Sequence, residues 1–114
     1  MRTVLIPTDF STNAMHAINY ALQLYKCELT NFYFLHAFAD EVYGPFKNTN
    51  GNSFEEQKET IKKHSERSLK ELVETISTRE HNPKHTYKSI AVFESLVDAV
   101  NDFADEINVD LVVM

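Results

Sequence analysis

The sequence predicts an α/β fold, an open parallel sheet with helices on both faces. Three observations lead there. Val4-Leu5-Ile6 and Leu111-Val112-Val113-Met114 are unbroken apolar runs, the pattern of strands covered on both sides. Strand-like and helix-like stretches alternate as strand-helix-strand-helix-strand-helix-strand, which requires right-handed crossovers between parallel neighbours. Ser11, Ser53 and Ser95 each stand at the head of a helical pattern, where a hydroxyl can accept from the first unpaired amides.

The first strand ends at Pro7, which has no amide to donate, so pairing is expected to stop there. Thr8 and Asp9 are thereby left at the carboxyl end of a central strand, where open parallel sheets bind ligands. From Ser11 to about Lys26, Ala14, Ile18, Ala21 and Tyr25 recur at helical spacing, with Met15 and Leu22 widening the stripe. Cys27 lies just past it and reads as a small buried or semi-buried residue. Asn31 to His36 is rich in aromatic residues and reads as the second strand, its end beside that of the first. Residues 40–52 hold both glycines, Pro45 and three asparagines, a loop composition.

Ser53-Phe54-Glu55-Glu56 is a capping-box pattern that opens a long polar helix running to about Arg79. Its apolar stripe of Phe54, Ile61, Leu69, Leu72, Val73 and Ile76 thickens toward the C-terminal half, and its charges form a solvated face. His81-Asn82-Pro83 ends it, because proline disfavours a helical residue before it. Thr86 to Phe93 reads as the third strand. Ser95-Leu96-Val97-Asp98 starts a second capped helix with Leu96, Val100, Phe103, Ala104 and Ile107 as its stripe and Asn108 as a left-handed stop. Asp110 then introduces the fourth strand.

With 114 residues the chain is expected to be one domain. Eleven basic against 17 acidic side chains give a net charge of -6, with Lys and Arg scattered. This argues against a nucleic-acid or anionic-membrane partner. No apolar run approaches the roughly 20 residues of a membrane span. A single cysteine cannot form an internal disulfide, and a reducing, cytoplasmic setting is expected.

Pro7-Thr8-Asp9-Phe10-Ser11, followed by Ala14, Ala17 and Tyr20-Ala21, then Leu35-His36-Ala37 and finally Asp110-Leu111-Val112-Val113-Met114, resembles the universal stress protein family. The likeness touches both ends of the chain and leaves the middle poorly matched. It implies an adenine-nucleotide alpha-hydrolase-like sheet in the order 3-2-1-4. The family continues into a glycine-rich loop, a further helix and a fifth strand. The 114 residues are therefore expected to be one incomplete domain whose open fourth strand self-associates. The resemblance further implies a cytoplasmic stress-response module that binds or senses ATP or AMP, with Mg, and pairs as a homodimer or with a tandem domain. Carried over residue by residue, Pro7, Thr8 and Asp9 would sit at the nucleoside. Ala37 would be the small residue against the base, and Met114 would line the pocket from the fourth strand.

Each of these residues also has a plainer reading: Asp9 as the cap of the loop before the helix, Ala37 and Met114 as packing. Asp9 is a poor seat for phosphate but a good acceptor for a ribose hydroxyl or an adenine amino group, so phosphates would lie elsewhere. There is no glycine-lysine phosphate loop. His81 and His85 are four apart, but Pro83 between them breaks any helix that would align them on a metal, and they read as surface residues. His36, at a strand end near Asp9, is the histidine to watch, as a ligand-orienting or pH-reporting group or as a hydrogen-bonded structural one. Ser11 has no adjacent base and no nucleophile-elbow context. No catalytic group or metal site is identifiable. The competing reading is a dimerisation or protein-interaction module that binds no nucleotide. It would use the long charged helix, the 40–52 loop and the open fourth strand.

Overall fold

The computed structural model describes residues 2–39 and 54–113. The elements are β1 (Arg2–Pro7), α1 (Thr12–Leu24), β2 (Thr30–Ala37), α2 (Phe54–Glu80), β3 (His85–Val92), α3 (Leu96–Glu106) and β4 (Leu111–Val112). The 40–52 loop, the Ser53 cap and Met114 lie outside the described residues.

The four strands form one parallel sheet in the order β3-β2-β1-β4, as the sequence predicts. Val4 pairs with Phe32 and Ile6 with Phe34, so the ends of β1 and β2 lie side by side. Two crossovers run in one direction and the third in the other, which places the helices on opposite faces. Strand alternation then divides the core. Val4, Ile6, Phe32 and Phe34 pack beneath Ile18, Ala21 and Leu22 of α1 and Leu69, Leu72 and Ile76 of α2. Leu5 and Leu35 face the other way, toward Ala99, Val100 and Phe103 of α3. Each fully buried aromatic here contributes roughly 1.5–3 kcal/mol by leaving water.

The caps behave as the sequence predicts where they can be seen. The Ser11 hydroxyl accepts from the Ala14 amide at 3.1 Å, and the Ser95 hydroxyl from the Asp98 amide at 3.3 Å. Asn108, just past α3, takes a φ of 53°, the left-handed stop. His81 does the same after α2 with a φ of 43°.

Three expectations need correction. Pairing does not simply stop at Pro7. Even-numbered residues of β1 turn their amides to β2, and the Thr8 amide still donates to the Leu35 carbonyl at 2.8 Å. Odd-numbered residues face β4, where the Val113 amide donates to the Leu5 carbonyl at 3.0 Å, so the missing proline donor falls on the β4 side alone. Cys27 is exposed, in the turn after α1, because the stripe that would bury it has already ended. Leu111, Val112 and Val113 are half-buried, since among the described residues β4 pairs only with β1.

The second crossover is fastened at the foot of the sheet. Three successive carbonyls at the end of α1 receive side chains from the segment before β3 and its first residue: Tyr25 from His85 Nε2 at 2.8 Å, Lys26 from Asn82 Nδ2 at 2.8 Å and Cys27 from Lys84 Nζ at 3.1 Å. Of these only Tyr25 is the capping residue of α1, and its carbonyl also accepts from the Glu28 amide at 3.0 Å. His85 is buried against the rings of Phe32 and Tyr87 and is no surface residue, because the carbonyl it serves lies under the sheet end.

Candidate functional site

In the order 3-2-1-4 the chain leaves β1 toward β2 and returns on its far side at β4, so the switch point of the sheet lies at the carboxyl end of β1. A cavity of about 390 Å³ opens at this end. Its floor is Pro7, Thr8 and Asp9 from the β1 end with His36 and Ala37 from β2. Ser11, Asn13, Ala14 and Ala17 supply the α1 wall, and Leu96 comes from the start of α3. Small alanines on α1 keep the space open, since larger side chains at those positions would fill it.

The loop between β1 and α1 is held by a chain of short-range bonds. The Phe10 amide donates to Thr8 Oγ1 at 3.1 Å, and the Ser11 amide to Asp9 Oδ1 at 2.9 Å. These are two successive side-chain turns of the kind Thr and Asp favour. They leave Phe10 with a φ of 65°, a left-handed conformation uncommon for a bulky residue. Its ring lies 4.9 Å from that of His36, centroid to centroid. His36 is buried, and its Nδ1 stands 2.8 Å from the Thr8 carbonyl oxygen. A carbonyl only accepts, so Nδ1 carries the proton there.

Asp9 is exposed, and the hydroxyl and amide of Ser11 hold its carboxyl below the usual carboxylate value, with proximity to His36 a lesser cause in the same direction. Its capping role is thus visible in the hydrogen bonds. The same carboxylate also borders the cavity, and a carboxylate has room for about four hydrogen bonds, more than the loop uses.

Of the residues singled out from sequence, Pro7, Thr8, Asp9 and Ala37 come together around one cavity. Met114 lies outside the described residues. Asn13 and Leu96 were not anticipated: Asn13 had only a helical position to mark it, and Leu96 reaches the cavity from the opposite face of the sheet. Phe10 gave no signal of its left-handed backbone.

A larger depression of about 700 Å³ lies at the other end of the strands, bordered by Arg2, Glu28, Lys84 and Asp110. Its charged groups are already engaged. Arg2 pairs with Glu28 at 2.8 Å, Lys84 Nζ donates to the Cys27 carbonyl at 3.1 Å, and Asp110 Oδ2 accepts from the Thr3 amide at 2.7 Å. Among the described residues no group of three or more His, Cys, Asp or Glu side chains could hold a metal ion. Nor is any described helix long and apolar enough to cross a membrane.

The family profile described as the Universal stress protein family matches residues 1–114. Among solved structures, universal stress protein UspA from Lactobacillus plantarum superposes with a TM-score of 0.69 at 17% identity, covering 98% of this chain and 74% of that one. A universal stress protein family member from Burkholderia pseudomallei gives 0.67 at 19% identity, covering 96% and 77%. The hypothetical protein PH0823 gives 0.69 at 27% identity, covering 97% and 76%. Among curated protein sequences none matches.

Proposed function

The chain belongs to the universal stress protein family, and we propose on that footing that it is a cytoplasmic module which binds an adenine nucleotide at the carboxyl end of β1. The observation that carries this reading is the cavity at the switch point, with a carboxylate at its mouth and small residues along its wall. Asp9 accepts from the ribose or from the adenine amino group, and Ala37 leaves space beside the base. Thr8 acts through its backbone, fixed by His36. ATP or AMP, with Mg on its phosphates, is the ligand class. Self-pairing, or pairing with a tandem domain, completes the reading. Calorimetry with ATP and AMP tests it. Asp9→Ala should weaken binding by about 1–3 kcal/mol, the cost of leaving a polar ligand group without its partner. An unchanged affinity would remove Asp9 from the site.

A second reading is an interaction module that binds no nucleotide. It is favoured by Tyr20 and Leu24, one turn apart on α1 and 64% and 51% exposed. If that face is the working surface, Tyr20→Ser with Leu24→Ser abolishes self-association while leaving nucleotide titrations flat in both proteins.

A further inference from the structure

We propose that Leu96 is the specificity residue of the cavity, the side chain that covers a flat base and makes the site prefer a purine. The inference rests on the adenine-site reading above and adds to it the residue that recognises the base by its shape.

The start of α3 carries two neighbouring apolar residues that the core leaves in the open. Leu96 is 43% exposed and Val97 68%. The first turn of a helix ordinarily favours acidic side chains, as Asp98 illustrates in the next position. Of the two apolar residues, Leu96 borders the cavity and Val97 is not among the described residues around it. Leu96 arrives from the face of the sheet opposite α1, so the space over the strand ends is bounded from both sides. Ala14 and Ala17 stand on the α1 side and Leu96 on the α3 side, with Pro7 and Ala37 beneath. Apolar groups on two sides of a gap suit a flat ring, while the Asp9 carboxylate at the mouth suits hydroxyls and amines. Two fused rings cover more of an isobutyl group than one ring does, which favours purine over pyrimidine.

Leu96 is also held in place before a ligand arrives. The Ser95 hydroxyl accepts from the Asp98 amide at 3.3 Å, and the Ser95 carbonyl from the Ala99 amide at 3.0 Å. Ala99 is fully buried in a cluster with Leu5 and Leu35. A base therefore gains the contact without first ordering the helix start.

The test is calorimetry on the full chain with AMP, CMP and ribose 5-phosphate, repeated with Leu96→Ala, Leu96→Met and Val97→Ala. If only triphosphates bind, ATP and CTP replace the first pair. Leu96→Ala should weaken AMP by about five- to tenfold, the contact of a partly covered aliphatic group, and CMP by less. Ribose 5-phosphate, which has no base, should bind as before. Leu96→Met conserves volume and apolarity and should keep AMP near the parental affinity, as should Val97→Ala. Parental melting temperatures show that the variants fold. A second measurement needs no variant: the Leu96 methyl NMR signals of the unmodified chain should move with AMP and stay with ribose 5-phosphate. AMP bound equally by the parent and Leu96→Ala, an equal loss for every ligand, or unmoved Leu96 methyl signals overturn this proposal and leave the adenine-site reading standing. No binding of AMP or ATP to the unmodified chain overturns both.

Discussion

His36 donates from Nδ1 to the carbonyl oxygen of Thr8 across 2.8 Å, tying the end of β2 to the first residue after β1. The bond joins residues 28 apart in sequence and fixes the loop that carries Asp9. Replacing the imidazole with a ring that cannot donate, His36→Phe, keeps a tilted ring contact with Phe10 but removes the donor to the Thr8 carbonyl. The expected loss is about 1–3 kcal/mol of stability, read from the urea midpoint. A midpoint unchanged within error would mean that the loop is held by its own turns alone.

Acid should act on the same loop through Asp9. Its folded carboxyl titrates below the ordinary value, so the folded state binds fewer protons there than the unfolded one does. That contribution is fully present above the ordinary carboxylate range and is lost as pH falls through the lowered folded value. Asp9→Asn should therefore cost stability at neutral pH and become indistinguishable from the parent in strong acid. Denaturant titrations across that range will show the two curves converging, or refute it by running parallel.

Ser65 supplies a stabilising prediction. It lies in the buried stripe of α2 at 1% exposure, and its hydroxyl has no hydrogen-bond partner among the described residues. Ser65→Ala removes that unsatisfied group and substitutes a better helix former. Stability should rise by about 1 kcal/mol or more, seen as a higher melting temperature. A fall would show that the hydroxyl has a partner, such as a water.

The three carbonyls bonded just after α1 should differ in worth according to whether water can replace the donor. His85→Leu removes a buried donor from the Tyr25 carbonyl, which keeps the Glu28 amide at 3.0 Å, and should cost about 1–1.5 kcal/mol. Asn82→Ala acts at the surface, where solvent takes over, and should cost about 0.5 kcal/mol or less. Chemical denaturation of both variants tests the ranking, and equal losses would contradict it.

Periodicity was legible in this chain because burial here follows element geometry closely. Val4, Ile6, Phe32 and Phe34 alternate with Leu5 and Leu35 because the sheet is covered on both faces, and continuous apolar runs announce that arrangement. Ser11, Ser95 and Asn108 could be read because capping is chemistry within a few residues. What escaped was chemistry between distant residues. Nothing near His85 in sequence points to the Tyr25 carbonyl, 60 residues earlier, and Pro83 drew attention to a broken metal pattern instead. The cavity was half legible for the same reason. Its Pro7-Thr8-Asp9 floor follows from where a strand must end, whereas Leu96 arrives through a crossover whose face only the assembled sheet defines.

Pro7 gives the two flanks of β1 different heights. On one flank the ladder climbs through Thr8, and on the other the last amide to donate among the described residues is that of Val113, to Leu5. Above that rung the β4 flank presents a pyrrolidine ring that has no amide hydrogen to give up. A guest that meets that ring displaces no amide donation from Pro7, so the tip can receive it while the described rungs below keep their bonds.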